Sequence, residues 1–143
     1  MDTIDSTQTT SSTGTAPITG ETYPIVHVEF AAKNAAESAK FYSDLFGWKN
    51  QHMAEYDYWT FENEEQRGGG FNPVGTNPSG LETKPGDVIV YFASPDLDAT
   101  LARAIELGGS VVVPRVDMPG MGSFAIFSDP TGNKVGIWMT EGK

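Results

Sequence analysis

Alternation of apolar and polar positions begins just after Tyr23. In Ile25-Val26-His27-Val28-Glu29-Phe30, a strand would carry Val26, Val28 and Phe30 on one face and Ile25, His27 and Glu29 on the other. The period then lengthens. Asn34-Ala35-Ala36-Glu37 has the N-cap and third-position Glu of a capping box, and Ala39, Tyr42, Leu45 and Phe46 follow at helical spacing until Gly47. Shorter strands are expected over 49–54, 58–62 and 69–74, separated by polar turn residues. A turn-rich connector without periodicity follows over 75–86 and reads as a hinge between halves. Residues 88–92 form the next apolar strand, and Ser94-Pro95-Asp96 opens a helix whose stripe is Leu97, Leu101, Ala104 and Ile105, ending at Gly108-Gly109. After a strand over 110–116, two apolar runs flank Asp129-Pro130-Thr131-Gly132-Asn133, a hairpin signal.

The order strand, helix, three strands therefore occurs twice. Aligning the glycines that end the helices, Gly47 on Gly108, sets His27 on Val88. This predicts an α+β domain of two βαβββ modules over residues 23–141: module 1 at about 23–74, a linker at about 75–86, and module 2 at about 87–141. Each helix must cover one sheet face, which leaves the other faces to build a shared concave cup. Alternation directs His27, Glu29, Gly136 and Trp138 into that cup and Val26, Val28, Val135 and Ile137 toward the helices. Residues 1–22 are Thr- and Ser-rich with hardly any large apolar side chain, so a flexible tail is expected there.

Composition narrows the function. The 143 residues contain no Cys and carry a net charge of -10. The acidity opposes binding to nucleic acid or to anionic membranes, both of which are held by clustered Lys and Arg. No apolar run is long enough to span a bilayer, residues 1–22 lack the basic and apolar parts of a signal peptide, and the cytoplasm is the expected compartment.

With these motifs placed, the chain resembles the vicinal oxygen chelate (VOC) superfamily, the glyoxalase, bleomycin-resistance protein and dioxygenase group. The matching pieces are Val26-His27-Val28-Glu29-Phe30, Phe41-Tyr42 with Phe46-Gly47-Trp48, Gly68-Gly69-Gly70, Asp96-Leu97-Asp98 through Gly108-Gly109, and Asp129-Pro130-Thr131-Gly132-Asn133. The resemblance implies a cup that holds one divalent metal in many relatives, with ligands on the first and last strands of each module. His27 matches one such position. The others fall on Val88, on Gly136 and within 68–70, none of which supplies a ligand side chain, so no cofactor is expected although a divalent metal is possible. The resemblance also implies a homodimer.

Two kinds of chemistry fit the remaining residues. His27 and Glu29, about 7 Å apart along one strand face, can act as an acid–base pair, or they can be structural. Trp59, Phe71, Met121, Phe124 and Trp138 are candidate contacts for a small apolar or aromatic molecule, with Gly136 read as the space it would fill. Three functions follow. The first is a small-molecule-binding protein with a largely vacant metal site. The second is a glyoxalase-like lyase or isomerase, or a dioxygenase, using His27 and Glu29 with or without a metal. The third is an interaction module whose cup is filled by its own side chains.

Overall fold

Both helices start where the side-chain caps demand. Asn34 accepts the Glu37 backbone N–H at 3.0 Å and Asp96 accepts that of Ala99 at 3.1 Å, each satisfying one of the orphan donors of a first turn. The computed structural model describes residues 22–56, 58–63 and 68–141, so the expected tail lies outside the described residues. The first module runs β1 (Ile25–Ala32), α1 (Ala35–Phe46), β2 (Lys49–Met53), β3 (Tyr58–Glu62) and β4 (Gly68–Pro73). The second runs β7 (Val88–Ala93), α2 (Leu97–Glu106), β8 (Ser110–Met118), β9 (Gly122–Ser128) and β10 (Lys134–Thr140). Between them, β5 (Gly75–Thr76) and β6 (Glu82–Thr83) form a small ladder.

The ten strands of the two modules and linker give one large curved sheet and this ladder. In the large sheet the order is β2-β3-β4-β1-β7-β10-β9-β8, so the modules meet where β1 and β7 pair antiparallel. Both helices lie on one face. Under α1, Ala32, Ala39, Phe61 and Phe71 are buried, with Phe30, Tyr42, Trp48 and Trp59 against them. Under α2, Leu97, Ala125 and Ile137 are buried, with Leu101, Phe127 and Met139 around them. The helices leave part of this face open as a groove of about 760 Å³ beside Val26, Val28, Trp48 and Phe61.

Register corrects the sequence alignment of the modules. His27 pairs with Tyr91 and Glu29 with Ile89, while Val88 pairs with Phe30 on the helix side and is exposed. The second-module residue equivalent to His27 is thus Ile89 and not Val88. The N-caps Asn34 and Asp96 keep the true offset; the helix-ending glycines differ from it by one residue because α1 and α2 differ in length. A one-residue shift exchanges the faces of a strand.

The connector is not a hinge. The Asn77 side-chain oxygen accepts the backbone N–H groups of Ser79 and Leu81 and the Ser79 hydroxyl, a local turn that points Leu81 inward. Leu81 is 1% exposed and packs with Ile89, Tyr91, Val113 and Ile126 on the helix-free face of module 2. Lys134 Nζ fastens the same segment at the Glu82 carbonyl, 3.0 Å away. One end of the expected cup is therefore filled by the chain itself.

Candidate functional site

Glu29 is the centre of the helix-free face. It points away from α1, is 8% exposed, and receives three donors. Tyr58 donates to Oε2 at 2.6 Å, while Asn72 and Tyr91 donate to Oε1 at 2.6 and 2.9 Å. Hydrogen bonds to a charged acceptor in a water-poor setting offset the cost of burying it. His27 stands beside this cluster with Nε2 2.9 Å from the Tyr58 hydroxyl and 3.8 Å from Glu29 Oε2. Its ring lies against Tyr91 edge-on at 5.3 Å and is stacked on Tyr58 at 6.3 Å.

Two glycines make room for the phenols. Gly70 sits beside Glu29 in the ladder, and a Cβ there would fall inside the Tyr58 phenol. Gly136 sits beside Tyr91, and a Cβ there would fall inside the Tyr91 ring. Burial, then the charge of Glu29 and the hydrogen bond to it, push the Tyr58 and Tyr91 hydroxyls well above the ordinary phenol range. Both are therefore hydrogen-bond donors at any ordinary pH.

From Tyr91 the face continues outward. Phe124 meets the Tyr91 ring at 6.3 Å and pairs across the ladder with Trp138, which also packs over Gly122. His27, Phe124 and Trp138 are half-buried, in contrast to Ile89 and Ile126 at the end closed by Leu81. The result is an aromatic strip ending in one imidazole, with a polar floor beneath.

The structure brings together His27, Glu29, Phe124, Gly136 and Trp138 on this face. It does not bring Phe71 or Trp59 there. Phe71 is 0% exposed under α1, and Trp59 faces the same side, stacked on His52 at 4.7 Å. Their parity on β3 and β4 decides this: Tyr58 and Thr60 take the helix-free side, so Trp59 and Phe61 cannot. Met121 lies exposed in the turn between β8 and β9, next to Gly122 at the Trp138 end of the strip. Gly136 is not ligand space, because the Tyr91 ring occupies it. Tyr58, Tyr91 and Asn72 were missing from the sequence-derived site; the signal that could have found them is a glycine at the cup-facing position of each module's last strand.

The donor set does not suit a metal at the family position. Tyr58, Asn72 and Tyr91 already take three of the roughly four acceptor sites of Glu29, and Gly70 and Gly136 offer no ligand side chain, so His27 and one carboxylate oxygen fall short of the roughly three protein ligands such a site uses. Among the described residues no group of three or more His, Cys, Asp or Glu is placed to hold a metal ion. Likewise, no described helix is long and apolar enough to cross a membrane.

Comparison with known proteins supplies the family. CFP32 of Mycobacterium bovis, a protein provisionally named a glyoxylase, is 29% identical over 123 residues, covering 78% of this chain and 43% of that protein. The anthracycline biosynthesis protein DauV of a Streptomyces species is 29% identical over 126 residues, covering 77% of this chain and 44% of that protein. The chain thus spans less than half the length of these curated relatives. A crystal structure of a superfamily member from Vibrio splendidus aligns with a TM-score of 0.58 at 12% identity, over 82% of this chain and 99% of that one. The family model for these proteins matches residues 24–137, nearly the whole of the two-module sheet, and the chain belongs to the glyoxalase/bleomycin resistance protein/dioxygenase superfamily.

Proposed function

We propose that this protein binds a small, apolar or aromatic molecule on the helix-free face, along the strip from His27 through Tyr91 and Phe124 to Trp138. The observation that carries the reading is the make-up of that strip: half-buried aromatic side chains beside a single polar cluster, the usual composition of a small-molecule site. The relative named for anthracycline biosynthesis supports a planar aromatic class. Calorimetric titration with bicyclic aromatic compounds tests it. Saturable one-site binding that is weakened at least about tenfold by Trp138→Ala or Phe124→Ala is expected; binding indifferent to both substitutions places the ligand elsewhere.

The function proceeds without a resident metal. The three donors on Glu29 and the side-chain-free Gly70 and Gly136 support this, so chelation should change neither ligand affinity nor melting temperature. A stoichiometric metal whose removal lowers the melting temperature would overturn it. We also propose a homodimer, because α1 leaves Phe41, Leu45 and Phe46 exposed and the sheet ends in the unpaired edges of β2 and β8. A chain without Cys suits a reducing compartment such as the cytoplasm.

A further inference from the structure

We infer that Tyr58 holds the neutral His27 ring with its proton on Nε2, so that Nδ1 is the acceptor offered to the ligand, and that the ligand presents an O–H or N–H donor, as a phenol or enol does. The inference deepens the binding reading above and rests on it for the ligand.

The argument follows the protons. A phenol has one proton and its oxygen can also accept. The Tyr58 oxygen is 2.6 Å from Glu29 Oε2 and 2.9 Å from His27 Nε2. Glu29 is already met by Asn72 and Tyr91 at Oε1, so its hydrogen-bonding role is acceptance, and the Tyr58 proton lies toward Oε2. The Tyr58 oxygen must then accept from His27, which puts a hydrogen on Nε2. The reverse chain, with Tyr58 donating to Nε2, would need a proton on Oε2. Burial beside a carboxylate also keeps the Tyr58 proton in place as pH rises. Gly70 is what lets the phenol lie between the two groups.

The other ring nitrogen is left for solvent or ligand. Among the described residues Nδ1 has no hydrogen-bond partner, and the His27 side chain is 30% exposed. An unprotonated imidazole nitrogen accepts and does not donate. A ligand with a hydroxyl over this atom gains a hydrogen bond, whereas its methyl ether loses that bond and crowds the ring. Tyr58 is thus a positioning residue: it selects the ligand through His27 without touching it.

Two measurements on the full chain test this. The protein has only two histidines, so long-range proton–nitrogen spectra of nitrogen-15-labelled protein at mildly alkaline pH resolve each ring, and His27→Ala assigns them. The expected result is a single Nε2–H tautomer with a resolved ring N–H signal for His27. In Tyr58→Phe that signal should vanish and the nitrogen shifts should average. A wild-type Nδ1–H tautomer, or a pattern unchanged in Tyr58→Phe, overturns the assignment. For the ligand, 2-naphthol should bind about tenfold more tightly than 2-methoxynaphthalene, the worth of one hydrogen bond. That ratio should collapse toward one in His27→Ala. Equal binding of the two compounds to the wild type defeats the inference while leaving the binding reading intact. No binding of either defeats the binding reading and the ligand half of the inference, while the spectrum still decides the tautomer. Should Tyr58→Phe not fold, the wild-type spectrum and His27→Ala decide both halves.

Discussion

At the scale of single residues, the site is organised by what is missing from it. Gly70 and Gly136 carry no side chain at the cup-facing positions of β4 and β10, and tyrosine rings fill both spaces and turn their hydroxyls onto Glu29. On the sequence alone Gly136→Leu reads as ordinary overpacking. In the fold even Gly136→Ala displaces Tyr91, so it adds the loss of a hydrogen bond to a buried carboxylate to the overpacking cost. The expected loss is about 3 kcal/mol or more by urea unfolding; a value near zero would show that Tyr91 can move freely. The same phenols set an alkaline limit. Their folded-state pKa values are raised, so above about pH 10 the unfolded chain gives up protons that the native chain keeps, and stability falls as pH rises. At least two of the five tyrosines should ionise only on unfolding in an ultraviolet titration, and each should steepen the loss by about 1.4 kcal/mol per pH unit. If all five ionised in the native protein, the Glu29 cluster would be open to water.

At the scale of elements, the sequence reading was strongest where local signals agree with tertiary packing. The helix caps at Asn34 and Asp96 and the turn at Asp129, whose Oδ1 accepts the N–H groups of Thr131, Gly132 and Asn133, are set by short-range hydrogen bonds and were legible. The faces of β1 from His27 onward and of β10 followed from alternation, whereas the bulge between Ile25 and His27 sets Ile25 opposite Phe92 on the helix side and not beside His27 as alternation expected. Equivalence between modules was not legible from the helix-ending glycines, since helix lengths differ while strand parity tolerates no slip; this is how Val88 stood in for Ile89. Trp59 and Phe71 were misplaced for a related reason, because aromatic character does not say which face a short strand presents. The connector was hidden altogether: a lone leucine in a turn-rich segment has no periodicity to reveal that it is core. Leu81→Ala should cost about 2 to 5 kcal/mol by urea unfolding, a core penalty, whereas a true hinge would lose almost nothing.

At the scale of the whole molecule, the two modules share one sheet, and the polar cluster lies on the seam between them. Glu29 belongs to β1, Tyr58 and Asn72 to the first module, and Tyr91 to the second, so the hydrogen bonds of one carboxylate tie the halves together. What the seam does not cover is the outside of the first module. Phe41, Leu45 and Phe46 are 59%, 60% and 56% exposed and recur at helical spacing on α1. Three large apolar side chains together on one helix are a patch that a partner would cover. A second copy is the partner proposed above, because a two-fold axis lets one surface satisfy both chains. Light scattering at micromolar concentration should give twice the chain mass, and Leu45→Glu with Phe46→Lys should return it to one. The folded signal of that double variant should persist with some loss of stability, since Leu45 and Phe46 are exposed although the Phe46 ring packs on Tyr42 and Trp48. A monomer mass for the wild type would leave the patch to another occupant and make each helix-free face a site complete within one chain.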